Sequence, residues 1–258
     1  MPQTAPEPLI RFVIGGAQKG GTSALARYLG TQPRLRLPRG KETHLFDAAD
    51  FDDRWSVADI DARYAPAFDA VDGEAMHGDA TPFYMFHPRV VARVARYNPA
   101  MRWILLLRDP VQRALSHYHM ERARGQERWP FWIALLLEQH RLRGQEGNFA
   151  RNSPLRRHSY RARGDYVRQL EILQSHFPPE QILLLRSDAL ERDPAGTVGR
   201  ACRFLGVASP LDHGDYPRVF AGDYPRWPIG GWRDRLLRRW WRQELEAQAR
   251  LGLDWDRG

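Results

Sequence analysis

Near its start, the chain passes from an apolar run through a glycine-rich turn into a helix. Residues 9–14 predict a strand, residues 15–21 hold four glycines and one lysine, and Thr22 and Ser23 open a helix expected over residues 22–30. Glycines let the backbone approach an anion closely, and the N–H groups of a helix N-terminus favour negative charge. The stretch therefore predicts a phosphate-binding turn. An ordinary glycine-rich connection between a strand and a helix is the alternative.

Further strands and helices alternate along the rest of the chain. Strands are expected at residues 76–79, 102–107 and 182–185, and a short extended segment at residues 35–37. Helices are expected at residues 88–97, 110–122, 129–143, 165–176, 194–205 and 231–253. Such alternation predicts an α/β fold, a three-layer α/β/α domain around a central, mainly parallel sheet. We expect one domain over residues 9–258, after a flexible tail at residues 1–8.

A second anion-binding position is expected beside the glycine turn. Ligands of parallel α/β sheets bind at the carboxyl ends of the strands, and Arg108 directly follows the apolar run of residues 103–107. Its guanidinium can hold a phosphate through two hydrogen bonds, and Ser116 lies about two helical turns further on. A structural ion pair at the start of the helix is the alternative explanation for Arg108-Asp109-Pro110. The net charge of +8 also favours an anionic partner.

Lysine is almost absent from this basic chain. Of 39 basic residues, only Lys19 and Lys41 are lysines. Because an ammonium differs in shape and hydration from a guanidinium, these two positions indicate a functional requirement for lysine, with chance as the alternative. Lys19 lies inside the turn, whereas the nucleotide P-loop pattern G-x-x-x-x-G-K-[ST] would place a lysine at Thr22.

Two other classes of function remain as alternatives. A small-molecule kinase with a P-loop would use a turn of this kind, although the lysine is misplaced and only Asp79 follows a strand as a candidate Mg²⁺ ligand. A basic nucleic-acid-binding protein would explain the net charge and the arginines and tryptophans of residues 233–242. We favour an amphipathic helix that packs on the core at those residues, and expect no nucleic acid partner.

Five segments together resemble the sulfotransferases that use 3′-phosphoadenosine 5′-phosphosulfate (PAPS), in particular their heparan-sulfate-type and related bacterial members. Residues 12–23 look like the loop that binds the 5′-phosphosulfate. Residues 41–47, Lys-Glu-Thr-His-Leu-Phe-Asp, are similar to the family's K-E-x-H-F-F-D stretch. Arg108 with Ser116 looks like the 3′-phosphate site. Arg163-Gly164-Asp165-Tyr166 resembles the R-G-x-Y stretch near the adenosine, and residues 203–207 with 253–255 resemble late family landmarks.

The resemblance implies a role for each matched residue in sulfuryl transfer from PAPS, which leaves as 3′-phosphoadenosine 5′-phosphate (PAP). Glu42 would be the general base, Lys19 would stabilise the leaving phosphate, and His44 would orient Glu42 or contact the acceptor. The residues implied to bind PAPS are Lys19, Gly20, Gly21, Thr22, Ser23, Lys41, Arg108, Ser116, Arg163 and Gly164. On the residues alone, Glu42 also fits a helix-cap partner or a surface charge, and His44 a core histidine.

One position departs from the family pattern. Many heparan-type members carry a lysine in an E-K-T-P stretch, where this chain has Asp79-Ala80-Thr81-Pro82, so Lys41 or an arginine would have to replace that lysine. We expect no metal, a hydroxyl or amine acceptor from a glycan, peptide, lipid or small natural product, and acceptor contacts within residues 48–75, 120–160 and 213–232. The single cysteine, Cys202, together with the lack of a visible secretory signal or transmembrane segment, predicts a cytoplasmic protein.

Overall fold

Five parallel strands form the sheet in the part of the chain that the computed structural model describes, residues 7–71, 73–208, 216–217 and 231–255. They are Ile10–Gly16 (β1), Leu35–Arg36 (β2), Met76–Asp79 (β3), Arg102–Leu107 (β4) and Ile182–Arg186 (β5). Their spatial order is β2-β3-β1-β4-β5, and every neighbouring pair is parallel. After β1, the chain forms β2 and β3 on one side of β1 and then β4 and β5 on the other side. Where the strand order reverses in this way, a crevice opens at the carboxyl end of the strand, here β1.

Helices cover both faces of this sheet. They are Thr22–Leu29 (α1), Val57–Tyr64 (α2), Pro88–Tyr97 (α3), Pro110–Ala123 (α4), Phe131–Leu142 (α5), Pro154–Arg157 (α6), Tyr166–Gln174 (α7), Ser187–Arg192 (α8), Pro194–Leu205 (α9), Trp232–Trp240 (α10) and Arg242–Arg250 (α11). Side chains of α3 and α7 share one core cluster with the sheet, and side chains of α1 and α9 share another. The predicted three-layer α/β/α fold is confirmed.

Strand β4 shows why its sequence is an unbroken apolar run. Trp103, Leu105 and Leu107 belong to the α3/α7 cluster, whereas Ile104 and Leu106 belong to the α1/α9 cluster. Successive side chains of a strand point to opposite faces, and both faces of this sheet are covered by helices. The strand is therefore apolar at each of its buried residues, 103–107, and only the half-buried Arg102 at its start is charged.

The predicted helix over residues 231–253 is wrong in one respect, because it is two helices, α10 and α11, with a break at Trp241. The backbone there leaves helical geometry, with φ −102° and ψ 20°. Trp241 and Leu237 are both buried in a third cluster with side chains of α4 and α5. The break keeps both of them in that cluster while α11 turns toward α7. The expectation of a helix that packs on the core is otherwise met at these two residues.

The ends of the elements differ from expectation by one or two residues in several places. β1 continues to Gly16 because Gly16 still pairs with Leu105 of β4. The stretch 48–74, expected to be a surface excursion with a helix, contains α2. Residues 1–6 of the expected tail and residues 218–230 of one expected acceptor segment lie outside the described residues.

Candidate active site

The glycine turn lies against the end of β4. The N–H of Ala17 donates to the carbonyl oxygen of Leu106 at 2.9 Å, and the N–H of Gly20 donates to the carbonyl oxygen of Ala17 at 2.8 Å. A Cβ at residue 20 would lie 2.2 Å from the Leu106 carbonyl oxygen, and Gly21 has a φ of +97°. Residues 20 and 21 must therefore be glycines for the turn to close in this way.

A cavity of about 1730 Å³ opens at this edge of the sheet. Most of the site residues expected from the sequence line it: Lys19, Gly21, Thr22, Ser23, Lys41, Glu42, His44, Arg108, Ser116 and Arg163. The structure thus brings together segments that lie more than 140 residues apart in the sequence, from Lys19 to Arg163. Gly20 and Gly164 lie behind the cavity surface, packed against Leu106 and Pro110 respectively.

Arg108 contacts the backbone of Lys19 where the turn approaches β4. The guanidinium of Arg108 donates to the carbonyl oxygen of Lys19 at 3.4 Å, and the Lys19 ammonium lies 3.8 Å from the sulfur of Met120 on α4. Lys19 has a left-handed backbone, with a φ of 70°. Few residues other than glycine adopt this conformation, and it occurs disproportionately at functional sites.

The sequence left a structural ion pair at the start of α4 as the alternative role for Arg108. Asp109 does form an ion pair there, but its partner is Arg238 and not Arg108. The Asp109 carboxylate accepts from the N–H of Gln112 at 2.9 Å and so caps α4. Its other oxygen accepts from Arg238 of α10 at 2.6 Å. Arg108 instead lines the cavity. Ser116 of α4 lines it as well.

Glu42, His44 and Asp47 form a chain of polar contacts, of which Glu42 and His44 line the cavity. His44 Nε2 lies 3.1 Å from Glu42 Oε2, and His44 Nδ1 lies 2.9 Å from Asp47 Oδ2. Asp47 is fully buried and also pairs with Arg156 at 2.7 Å. His44 is therefore held between two carboxylates. Of the two interpretations considered from the sequence, this placement agrees with the one in which His44 orients Glu42.

These contacts set the charge of both groups. Burial by itself would raise the pKa of Glu42, but the hydrogen bond from His44 and the Lys41 ammonium, 2.5 Å away, lower that pKa to about 2. Burial would lower the pKa of His44, but hydrogen bonds to Asp47 and Glu42 raise it to about 9. At neutral pH Glu42 is therefore a carboxylate and His44 a cation.

Comparison with known proteins agrees with this arrangement. A sequence profile of the family described as "Sulfotransferase domain" matches residues 9–215. The chain belongs to the sulfotransferase family. Members of this family generally take a sulfuryl group from PAPS.

Individual sulfotransferases give the extent of the similarity. Human heparan sulfate glucosamine 3-O-sulfotransferases 3B1 and 3A1 are both 31% identical to this chain over 202 residues, which are 77% of this chain and 46% and 45% of theirs. The chain thus spans about half the length of the curated relatives it matches. The crystal structure of a sulfotransferase from Alicyclobacillus acidocaldarius superposes with a TM-score of 0.74, at 30% identity, over 96% of both chains.

Asp79 anchors the segment that carries Glu42 and His44 of this sulfotransferase to β3. Its fully buried carboxylate accepts hydrogen bonds from Thr43 at 2.5 Å and from Tyr64, Tyr84 and Thr81 at 2.9, 2.7 and 2.8 Å. Burial raises the pKa of Asp79, and these four donors oppose that effect. Thr43 lies between Glu42 and His44, so this bond fixes the backbone that carries both. The neighbouring Ala80 is buried in the α1/α9 cluster.

Arg163 connects the glycine turn to Ser159 in the wall of the sulfotransferase cavity. It donates to Gln18 of the glycine turn at 2.6 Å and to Ser159 at 2.7 Å, and burial lowers its pKa to about 9. Its guanidinium also lies 4.9 Å from the ring centroids of Phe83 and Phe86. Gly164 touches Pro110, and its carbonyl oxygen accepts from Gln248 of α11 at 2.9 Å. Whether either residue contacts PAPS stays a prediction.

Sequence reasoning gave no site role to several residues of this sulfotransferase cavity, among them Arg156 and Arg186, and named Trp255 only as part of a late family landmark. Individual arginines carry little signal in a chain with 39 basic residues, almost all of them arginine. Among the described residues, no group of three or more His, Cys, Asp or Glu side chains is placed to hold a metal ion. No helix in the described ranges has both the length and the apolar character needed to span a membrane.

Proposed function

We propose that this chain transfers the sulfuryl group of PAPS to a hydroxyl, or an amine, of an acceptor and releases PAP. The observation that carries the proposal is the position of Glu42 and Lys19 on the walls of one cavity, with Arg108 beside Lys19. A carboxylate can accept the acceptor's proton, and the two cations can balance the charge of the donor's phosphates. We further propose that residues 9–255 act as a single catalytic domain.

The residues present suit PAPS as a substrate. The Gly20-Gly21 turn leaves no room for a side chain, so backbone N–H groups and the start of α1 are available to one anion. Arg108, just after β4, and Ser116 of α4 supply donors for a second anion. The family's PAPS carries a 5′-phosphosulfate and a 3′-phosphate, which we assign to these two positions in that order.

When PAPS is bound, it supplies a sulfur that forms a bond to the acceptor oxygen while its bond to the bridging phosphate oxygen breaks. Lys19 would stabilise the charge that develops on that bridging oxygen. Glu42 would take the proton of the acceptor. His44, held by Asp47, would keep the Glu42 carboxylate in position.

Lys41 has two roles in this proposal. Its contact with Glu42 helps to keep the pKa of that carboxylate near 2, which is a poor value for a base at neutral pH. If Lys41 turns from Glu42 to a sulfate oxygen when the donor binds, the pKa of Glu42 rises and the carboxylate becomes a better base. Lys41 would thereby replace the lysine that is missing at Ala80.

The relatives indicate which acceptor class to test first. Relatives with 31% identity are named for the glucosamine of heparan sulfate. We therefore propose a sugar hydroxyl as the first acceptor to test, ahead of peptide, lipid and other small-molecule hydroxyls.

Glu42→Gln tests the proposed base. We expect this variant to bind PAP like the unchanged protein in calorimetry, while transfer of labelled sulfate from PAPS to a panel of sugar acceptors falls by at least about 10²-fold. Glu180→Gln is the matched control, because Glu180 is exposed and outside the cavity lining, and it should leave PAP binding and transfer unchanged. Full activity of Glu42→Gln would refute the base assignment, and absence of PAP binding by the unchanged protein would refute the whole proposal.

A further inference from the structure

We infer that Trp255 is the surface on which the purine base of the nucleotide packs. This inference rests on the proposed function, because it assigns the part of the cavity that would hold the adenine of PAPS and PAP. Trp255 lies 40 residues beyond the end of the family match at residue 215. Trp255 is not one of the residues that we assign to the phosphates of PAPS.

Among the described Tyr, Phe and Trp side chains that line the cavity, Trp255 is half-buried and the rest are buried. The others are Tyr28, Phe83 and Phe149, with exposures of 6%, 2% and 5%. A base that enters the cavity therefore finds accessible aromatic surface at Trp255.

Trp255 lies at the end of the cavity where the 3′-phosphate is expected. Leu107 of β4 pairs with Arg186 of β5, so Arg186 is beside the residue that precedes Arg108. Tyr166 connects Trp255 to the same place, because its hydroxyl donates to the Arg108 carbonyl oxygen at 2.8 Å and its ring centroid is 6.3 Å from that of Trp255. Since the base and the 3′-phosphate share one ribose, a phosphate on Arg108 places the base near this tryptophan.

Two contacts hold the indole in position. The fully buried Gln248 accepts from the indole N–H at 2.9 Å and donates through its amide nitrogen to the Gly164 carbonyl oxygen, also at 2.9 Å. Arg186 donates to the carbonyl oxygen of Asp254, and its guanidinium carbon lies 4.9 Å from the centroid of the Trp255 ring. The ring is thus fixed before a ligand arrives, which lowers the entropy cost of stacking.

Calorimetry with two ligands tests this role. The ligands are PAP and a base-free sugar 3,5-bisphosphate, which keeps both phosphates and lacks the purine. Base–aromatic stacking is worth about 1–3 kcal/mol, so Trp255→Ala should weaken PAP binding by roughly 5- to 150-fold. Binding of the base-free ligand should be the same in Trp255→Ala and in the unchanged protein. Trp255→Phe should restore most of the affinity for PAP.

Further variants separate the base site from general damage. Trp232→Ala removes a tryptophan that is 64% exposed and outside the cavity lining, and should leave both affinities unchanged. If Trp255→Ala fails to fold, Trp255→Leu keeps an apolar side chain without an aromatic face and should show the same selective loss. Unchanged PAP affinity, or an equal loss for both ligands, would overturn the inference. If the unchanged protein binds neither ligand, the proposed function itself fails.

Discussion

The ring of His44 lies between two carboxylates and close to a guanidinium. Its ring nitrogens contact Glu42 and Asp47, and Arg156 lies 3.4 Å from Nδ1 while it pairs with Asp47. The net effect favours a protonated ring, since the two carboxylates outweigh burial. The same proton helps to keep Glu42 ionised, so the two residues titrate as a unit.

This pairing predicts a loss of stability at alkaline pH. The pKa of His44 is about 9 in the folded protein and about 6.5 when unfolded, so its contribution is complete below pH 6.5 and is lost as pH rises through 9. The side chain is 34% exposed, and solvent screening reduces the contribution to about 1 kcal/mol.

Thermal unfolding of the unchanged protein and of His44→Gln between pH 6 and about pH 9.5 measures this contribution. The melting temperature of the unchanged protein should fall by about 2 °C more than that of the variant over this range. His176→Gln, a change at an exposed residue, serves as the control. Parallel curves for the unchanged protein and His44→Gln would show that the histidine is not held as a cation.

At the scale of elements, α4 and α10 are joined through one aspartate. Asp109 caps α4 and pairs with Arg238, which also pairs with Asp234 on its own helix at 2.8 Å. Arg238 and Asp109 are 15% and 13% exposed, so their attraction is little screened by water. The contact connects the start of the helix that follows Arg108 to a segment 129 residues later in the chain.

Asp109→Ala should therefore cost more than the loss of a helix cap. We expect a decrease of about 2–3 kcal/mol in the free energy of unfolding in urea, of which the cap accounts for about 1 kcal/mol. Asp165→Ala is the matched control, since Asp165 caps α7 and its ion-pair partner Arg168 is largely exposed, and it should lose only about 1 kcal/mol. Equal losses in the two variants would show that the pair with Arg238 adds nothing.

At the scale of the whole molecule, the cavity joins segments from most of the described chain, from the glycine turn to Trp255. A ligand that bridges these segments stabilises the folded state only. At 100 times its dissociation constant, PAP should add about 2.7 kcal/mol and raise the melting temperature by roughly 5–10 °C.

Differential scanning fluorimetry with PAP and with ATP, at equal concentrations, distinguishes a PAPS site from a kinase site. ATP lacks a 3′-phosphate for Arg108 and should shift the melting temperature by less than about 1 °C. Arg108→Ala should abolish most of the shift with PAP. A shift with ATP as large as that with PAP would favour the small-molecule kinase.

The sheet and much of the site were predictable because their signals are local. The glycines of the turn are close together in the sequence, and residues 103–107 of β4 are all apolar because both faces of the strand are buried. Arg238 gave no such signal, because its partner Asp109 is distant in sequence, and Trp255 was visible only as part of a late family landmark with no role in the site. The break at Trp241 was not predicted either, because the sequence there has a continuous helical pattern and the break follows from tertiary packing.

The bond from Arg186 to the backbone of Asp254 has a consequence for biosynthesis. The glycine turn and Arg108 leave the ribosome early, whereas the segment that completes the cavity wall is translated more than 140 residues after Arg108. A nascent chain can therefore assemble the sheet around β1 and β4 while this wall is still incomplete. Competence to bind nucleotide should then appear only after residue 255 has emerged from the exit tunnel.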